Sequence, residues 1–413
     1  MHKRVAKLSD IAPFRGRFFG AAILASALLA QPALAQKKYG PGVTDSEIKI
    51  GQTQPYSGPG SAYSTIGKAS AAYFKMINEQ GGINGRKINF LSWDDGFNPA
   101  KTVEQTRKLI EEENALMIFD SVGTPTSLSV QKYLNERGVP QIFVGSGATR
   151  WADPQHFPWT IGWQPAYRTE GRVYGRFVLA TKPDARIAVL YQDDDYGHDY
   201  INGMRDILGD KADKMMIAGA TYIMTDPLID SQIVTLAASH ADVLLDISQP
   251  KFTAMAIRKS FDIDWHPLHI INSVSASVDQ VLKPAGLDKS TGLIAAIYLK
   301  DPTDPAWKDD GGLGNYLAFM KKYDPDGKPE DGLNVYGYSV AQTLVQVLNQ
   351  CGDDLTRENV LKQALTLDLQ LPMLLPGVKI APRPDDYRVI KDMQLGRFDG
   401  KMWVRFGGIV SGS

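Results

Sequence analysis

Hydrophobic and polar positions follow two alternating patterns along most of the chain. Short, largely apolar segments are separated by longer ones, such as 98–113, in which apolar residues recur every three or four positions. The strand-like segments fall at 47–53, 86–95, 115–120, 139–145, 186–192, 242–247 and 266–272. Strands that alternate with helices predict βαβ units, in which a parallel sheet carries helices on both faces.

Capping residues support the predicted helices. Asn98-Pro99 and Thr124-Pro125 each place a capping side chain directly before a proline at the first helical position. The helix predicted over 66–77 has one apolar face and ends at Gly81-Gly82. Helix starts are therefore expected directly after strand-like segments.

The alternation pauses around 157–163 and then resumes, which predicts a second α/β lobe. The proline-containing segment 292–307 is predicted to cross back to the first lobe, and a third crossing is predicted near 371–377. Later helices are predicted at 312–323, 332–350 and 356–367, and two strands joined by an Asp399-Gly400 turn are predicted within 393–407. The expected bounds are 36–160 with 298–372 for the first lobe and 161–297 with 373–413 for the second.

The N-terminus has the pattern of an export signal. A basic segment precedes thirteen largely apolar residues at 18–30, too few to span a bilayer at about 20 residues, and Ala33-Leu34-Ala35 fits a cleavage site. We predict cleavage after Ala35, with Gln36 as the mature start and the periplasm as destination. An uncleaved anchor is the alternative, and a lipoprotein anchor is not expected because no cysteine follows the apolar run.

Charge and cysteine content narrow the function classes. Loss of residues 1–35 leaves 40 basic and 45 acidic residues, a net charge of −5, which disfavours nucleic acid as a partner. The single cysteine, Cys351, cannot form an internal disulfide, so stability in an oxidising compartment must come from a large core.

Motifs of catalysis and metal binding are mostly missing from the sequence. Segment 145–150 resembles a dinucleotide fingerprint but has arginine at the third glycine position. The acids of 193–197 lack ligand spacing, and 324–332 has its glycine at the wrong position for a calcium loop. His266 and His269 are predicted to have surface or packing roles. We expect no enzyme activity, no metal and no cofactor.

Loops rich in glycine, serine and threonine follow three of the first-lobe strands, at 55–63, 121–127 and 145–151. In an open α/β sheet, ligands bind outside the carboxyl ends of the strands. Helix N-termini at such loops favour an anion such as a carboxylate. Thr124 and Thr149 are candidate ligand contacts, with plain N-capping as the alternative for each.

Three long motifs of the mature chain are IKIGQTQPYSGPGSAY, INEQGGINGRKINFLSWDD and IAVLYQDDDYG. They resemble motifs of the periplasmic solute-binding proteins of ABC transporters, in the branched-chain amino-acid (Leu/Ile/Val) binding family, and the resemblance covers essentially the whole mature chain. It implies two doubly wound parallel-sheet lobes, joined by a three-strand hinge, with a ligand held in the cleft between them. The implied partners are a small carboxylate ligand and an inner-membrane ABC permease, and we expect a monomer.

The resemblance also implies site residues. Thr124 and the stretch Gly147-Ala148-Thr149 would hold the ligand carboxylate, the latter partly through backbone N–H groups. Tyr63 would form an aromatic wall, and Tyr196 would close over the ligand from the second lobe. Trp151 is a further candidate wall.

The segments that would hold a ligand amine depart from the family pattern. In 270–280 no acid occurs before Asp279, and Ile247-Ser248-Gln249 replaces the usual glycine-rich turn, so Ser248 is included among the candidate contacts. Glu170 is a candidate replacement for the missing acid, with an exposed charge in the first turn of a helix as the alternative.

Three functions remain open at this point. The chain is expected to be a transport-linked receptor, while a secreted α/β enzyme or the sensor subunit of a membrane receptor could use the same cleft. Because a buried ammonium needs a carboxylate partner, the missing acid favours a non-amino hydrophobic acid, such as a benzoate- or cinnamate-like compound, over leucine.

Overall fold

The structure is a computed structural model that describes residues 37–412. The predicted export signal therefore lies outside the described residues. The strands are β1 (Lys38–Tyr39), β2 (Glu47–Gln54), β3 (Lys87–Asp94), β4 (Met117–Phe119), β5 (Gln141–Val144), β6 (Thr160–Gly162), β7 (Ile187–Gln192), β8 (Met216–Tyr222), β9 (Val243–Ile247), β10 (Leu268–Ile271), β11 (Ile294–Ile297), β12 (Asp354–Leu355), β13 (Asp392–Phe398) and β14 (Trp403–Ser411). The α-helices are α1 (Ser64–Glu79), α2 (Pro99–Glu111), α3 (Thr124–Glu136), α4 (Tyr167–Thr181), α5 (Asp195–Leu208), α6 (Ala212–Met215), α7 (Asp230–Ala238), α8 (Pro250–Asp262), α9 (Lys283–Ala285), α10 (Gly311–Tyr323), α11 (Gly332–Cys351) and α12 (Arg357–Ala364).

The main strands form two sheets. The first has five parallel strands in the order β3-β2-β4-β5-β6, and the second has seven strands in the order β14-β13-β11-β10-β9-β7-β8. The second sheet is parallel except that β13 and β14, joined across Gly400 with φ +97°, run antiparallel at one edge. Two α/β lobes built on parallel sheets are thus confirmed, and so is the closing hairpin.

The chain passes between the two sheets three times. It leaves the first sheet after β6, returns after β11 to the helices α10 to α12, and goes back to the second sheet at β13. The second and third crossings bond to each other, because the Lys300 amide donates to the Met373 carbonyl and the Leu375 amide donates to the Tyr298 carbonyl, each over 2.9 Å. These paired crossings connect the lobes at one side of the cleft.

The pattern of the sequence missed one long strand. β8 lies at the edge of the second sheet, and its residues alternate between partly buried and exposed. Such a strand carries no continuous apolar run, so the search for apolar segments passes over it. The predicted cap of α2 is confirmed, since the Asn98 side chain accepts from the amides of Ala100 and Lys101.

Within residues 37–412, no helix is both long enough and apolar enough to cross a membrane.

Helices α1 and α11 pack closely in the first lobe. A Cβ placed on Gly337 of α11 would lie 2.5 Å from the Ile66 carbonyl oxygen and 2.9 Å from the Ala69 Cβ. The Ser70 hydroxyl also donates to the Gly337 carbonyl over 3.1 Å. The two helices approach this closely because position 337 has no side chain.

We therefore expect Gly337→Ala to lower the free energy of unfolding by about 1–3 kcal/mol, since the added methyl forces the helices apart. Gly314→Ala is the matched control, because its Cβ would meet nothing within 4 Å on the exposed side of α10. That change should be neutral or stabilise the helix by up to about 1 kcal/mol. Urea unfolding of the mature chain measures both, and equal effects of the two substitutions would contradict this account of the contact.

Candidate ligand-binding cleft

A large cavity lies between the two lobes, with about 1040 Å³ of empty space including the part open to solvent. Its walls come from the strand ends at 122–124, from the start of α1, from the segment after β10, from the crossing at 296–302 and from the start of α11. Most side chains of the wall are apolar or aromatic. Ligand pockets in proteins have walls of this composition.

The loop at 55–63 brings Tyr63 to this cavity. Gly58 has φ +76°, and a Cβ on Gly60 would lie 2.6 Å from the Phe97 ring, so both positions need glycine. The loop ends in a short 3₁₀ turn at Ser61–Tyr63 that leads into α1. The Tyr63 hydroxyl donates to the Gln249 side-chain oxygen over 2.5 Å, which joins the first lobe to the second.

Thr124 also lines the cavity, but it does not cap a helix. The capping prediction was wrong because α3 begins at Thr124 itself, after Gly123 with φ +109°, and no side chain caps it. The Thr124 hydroxyl instead lies 2.7 Å from the Ser146 hydroxyl. Its position beside the cavity is what a ligand contact requires.

Tyr167 is a wall residue that the sequence reasoning missed. Burial raises its pKa to about 12, although hydrogen-bonding groups of Gly147, Ser146 and Thr124 oppose the shift. The phenol is therefore protonated at neutral pH and belongs to a group of hydroxyls at the ends of β4 and β5. Such a group suits a carboxylate.

The stretch Gly147-Ala148-Thr149 takes a different place from the one expected. Gly147 and Ala148 line a small separate cavity together with Trp151, and Thr149 is outside the lining of the large one. The Thr149 amide donates to Asp199 of α5 over 2.6 Å. This amide therefore closes the cleft in the described structure, and its predicted contact with a ligand stays a prediction.

Tyr196 is completely buried at the start of α5. Its ring packs nearly perpendicular to the Tyr167 ring at 5.0 Å between centroids. Among the described residues its hydroxyl has no hydrogen-bond partner, and burial raises its pKa well above the usual value. The acidic loop before it has a structural role, because the Asp194 side chain accepts from the Tyr196 amide over 3.0 Å.

Glu170 is fully buried in α4, so the alternative of an exposed helix charge is wrong. Its two oxygens accept four hydrogen bonds, from the hydroxyls of Tyr174, Tyr200 and Ser273 and from the Ser273 amide, at 2.6–2.9 Å. Burial raises the pKa of Glu170 even though these donors lower it. The carboxyl joins α4, α5 and the segment after β10, and it is not part of the lining of the large cavity.

Ser248 lies at the carboxyl end of β9, also outside that lining. Its hydroxyl contacts Asp246 and lies 2.7 Å from the Thr253 hydroxyl. The next residue, Gln249, reaches the cavity and receives the bond from Tyr63. In the described structure, the turn after β9 therefore contributes Gln249, and not Ser248, to the wall of the cavity.

The described structure is closed across the cleft. Besides the Tyr63 and Thr149 bonds, Arg150 of the first lobe contacts Asp195 of α5 over 2.8 Å. Opening of the lobes must break these contacts. Among residues 37–412, no three His, Cys, Asp or Glu side chains are placed to hold a metal ion.

Comparison with known proteins decides the family. Residues 47–402 match the family described as periplasmic binding protein. The chain belongs to the periplasmic binding protein family. An amino acid binding protein of Pseudomonas aeruginosa is 22% identical over 317 residues, which cover 74% of this chain and 79% of that relative. A Leu/Ile/Val-binding protein homolog of Brucella abortus is 27% identical over 159 residues, which cover 37% of this chain and 41% of that relative, and this confirms the resemblance to the branched-chain amino-acid binding proteins.

Solved structures of similar fold hold different ligands. A branched-chain amino acid ABC transporter protein from Thermus thermophilus with bound valine superimposes with a TM-score of 0.80 at 14% identity, covering 89% of this chain and 97% of that one. A solute-binding protein from R. palustris in complex with benzoate gives a TM-score of 0.73 at 19% identity, covering 89% and 98%. At these identities the likeness establishes the type I fold of this periplasmic binding protein and leaves its ligand open.

The contacts across the cleft lead to a prediction about closure. Replacing Arg150 with Met and Asp199 with Ala removes two of the bonds between the lobes without changing the lining of the large cavity. We expect the double variant to favour the open form, because the two substitutions remove contacts that stabilise only the closed form. Small-angle scattering of the ligand-free protein should give a larger radius of gyration than for the wild type.

Arg205→Met is the control, since the exposed pair of Arg205 and Asp213 lies within the second lobe. Its scattering profile should match that of the wild type. A double variant with an unchanged profile would mean that these contacts do not set the degree of closure.

Proposed function

We propose that this protein captures a small carboxylate-bearing solute in the periplasm and delivers it to an inner-membrane ABC permease. The observation that carries the proposal is the largely apolar cavity between the two lobes, with hydroxyl groups of Thr124 and Tyr167 in its wall. Membership of the periplasmic binding protein family supports the periplasmic location, and so does the export signal predicted over 1–35. The same family membership supports a permease as the partner.

The anion end of the solute is assigned to the first lobe. Thr124 stands at the first residue of α3, where unpaired amides and the helix dipole favour negative charge. The Ser146 hydroxyl lies beside it, and Tyr167 adds a phenol that stays protonated at neutral pH. In this proposal, Gly147, Ala148 and Thr149 support the site through the loop that carries Ser146.

The amine end lacks a clear partner, which favours an acid without an α-amine. Glu170 already accepts four hydrogen bonds from neighbouring side chains and one amide. Asp120 accepts a bond from the Tyr336 hydroxyl over 3.2 Å, and burial raises the pKa of Asp120 well above its usual range. Of the two acids that line the cavity, Asp301 accepts from the amide and the hydroxyl of Thr303, and Glu330 lies 4.0 Å from the Lys283 amine. We therefore favour a hydrophobic acid such as benzoate or cinnamate over leucine, with Tyr63 as an aromatic wall. Tyr196 is outside the lining of the cavity in the described structure, and its contact with a ligand stays a prediction.

A ligand panel tests this choice. Leucine, isoleucine, valine, benzoate and cinnamate are each added to the mature protein, and the melting temperature is measured. A ligand at 100 times its dissociation constant adds about 2.7 kcal/mol of stability. We expect the aromatic acids to raise the melting temperature and the amino acids to leave it unchanged. Stabilisation by the amino acids alone would overturn the proposed ligand class, and no shift with any carboxylate would overturn the proposed function.

Substitution of Thr124 tests the anion end. Thr124→Val keeps the shape of the side chain and removes the hydroxyl, so the affinity for the bound acid should fall about tenfold, as hydrogen bonds to charged groups are worth about 1.5–3 kcal/mol. Ser129→Ala is the control, because Ser129 is on the exposed side of the same helix. Titration calorimetry measures both. Wild-type affinity in Thr124→Val would remove this residue from the site.

A further inference from the structure

Tyr298 lines the cavity but does not belong to the proposed carboxylate site of Thr124, Ser146 and Tyr167. It is the first residue after β11, on the second crossing, and its ring lines the cavity while only 7% of the residue is exposed. The Trp163 ring of the first crossing packs against it in an edge-on arrangement at 6.3 Å. Its backbone carbonyl accepts the Leu375 amide, so the third crossing fixes its main chain.

The hydroxyl of Tyr298 makes no hydrogen bond to any residue in 37–412, and this distinguishes it from its neighbours in the wall. Tyr63 donates to Gln249, Tyr336 donates to Asp120 over 3.2 Å, and Tyr167 accepts from Gln164 over 3.2 Å. This hydroxyl keeps contact with solvent in the cavity, so a ligand that displaces the solvent removes its hydrogen bonds to water. A hydroxyl in the wall of a ligand cavity recovers that loss when the ligand supplies the acceptor.

The surroundings of Tyr298 define what kind of acceptor fits. Burial raises its pKa well above the usual value, and the nearby acids Glu170 and Asp120 raise it further, so the phenol keeps its proton and remains a donor. Asp301 and Glu330 also line the cavity, and Lys300 of the lining is paired with Asp310 over 2.7 Å, so a second negative charge on the ligand is disfavoured. An uncharged oxygen satisfies the phenol without that repulsion.

We propose that the Tyr298 hydroxyl donates a hydrogen bond to a second, uncharged oxygen of the solute. The solute is then a hydrophobic acid that carries a hydroxyl or carbonyl group apart from its carboxylate. This inference rests on the proposed function, because it takes the cavity to be the site of a carboxylate solute. Tyr298 is thus a specificity residue on the hinge side of the cleft.

Matched pairs of acids test the inference by titration calorimetry. The pairs are benzoate with 3- and 4-hydroxybenzoate, and hexanoate with 6-hydroxyhexanoate; terephthalate and adipate carry a second anion in place of the hydroxyl. In the wild type, we expect at least one hydroxy acid to bind about fivefold to tenfold more tightly than its parent. The dicarboxylates should bind more weakly than the parent acids.

Tyr298→Phe removes the hydroxyl and keeps the ring. This variant should bind the parent acids as the wild type does and should lose the preference for the hydroxy acid. Tyr338→Phe is the matched control, because Tyr338 is also buried, likewise shows no hydrogen bond of its hydroxyl within the described part of the chain, and lies outside the cavity lining. It should keep the preference.

The outcomes separate this inference from the proposed function. If parent acids bind the wild type and no hydroxy acid binds more tightly, the inference is overturned while the proposed function stands. A preference that persists in Tyr298→Phe, or tighter binding of a dicarboxylate, overturns it as well. If no acid of any pair binds, the proposed function fails and the inference fails with it.

Discussion

The two hydrogen bonds that join the second and third crossings set the geometry on which the rest of the molecule depends. The bonds from the Lys300 amide to the Met373 carbonyl and from the Leu375 amide to the Tyr298 carbonyl hold the two crossings against each other. The lobes can then rotate about a common line, but the side of the cavity that the crossings form keeps its shape. A clamp needs such a fixed side, because a ligand can be held only if the lobes return to the same closed position.

The chemistry of the cleft combines protonated phenols with buried acids. Glu170 and Asp120 are both withdrawn from water, and burial raises the pKa of each. Burial likewise raises the pKa of Tyr167 and Tyr298, so these residues remain hydrogen-bond donors at neutral pH. A cavity of this kind favours ligand oxygens, and the charged residues of its lining are Lys300, Asp301 and Glu330.

The loop at 55–63 is wide for a physical reason. It must leave the edge of the cavity open, pass close to Phe97 and deliver Tyr63 to Gln249 of the other lobe. The first requirement excludes a tight turn, and the second excludes side chains at Gly60. Its many glycines and prolines therefore serve the cleft as well as the connection between β2 and α1.

Local pattern was sufficient for the elements that repeat along the chain. Apolar segments and capping residues predicted most strands, the cap of α2, the hairpin at Asp399-Gly400 and the division into two α/β lobes, because strands and helices bury continuous apolar faces. Strand β8 was missed because an edge strand with alternating exposure buries no such face. The loops at the strand ends already indicated Thr124, and the family resemblance added the cleft and the choice of Tyr63; both residues line the cavity.

Only the tertiary structure decided which partners the polar side chains of the cleft have. Glu170 has the same sequence signal whether it is exposed or buried, and its burial depends on Tyr200 and Ser273, which come from distant segments. Gln249 and Tyr298 carry no motif at all, and they reach the cavity because the turn after β9 and the second crossing meet there. Sequence by itself determined the elements and their order, since these follow from local periodicity. The partners of each polar group depend on contacts between segments far apart in the chain, and local periodicity holds no information about those contacts.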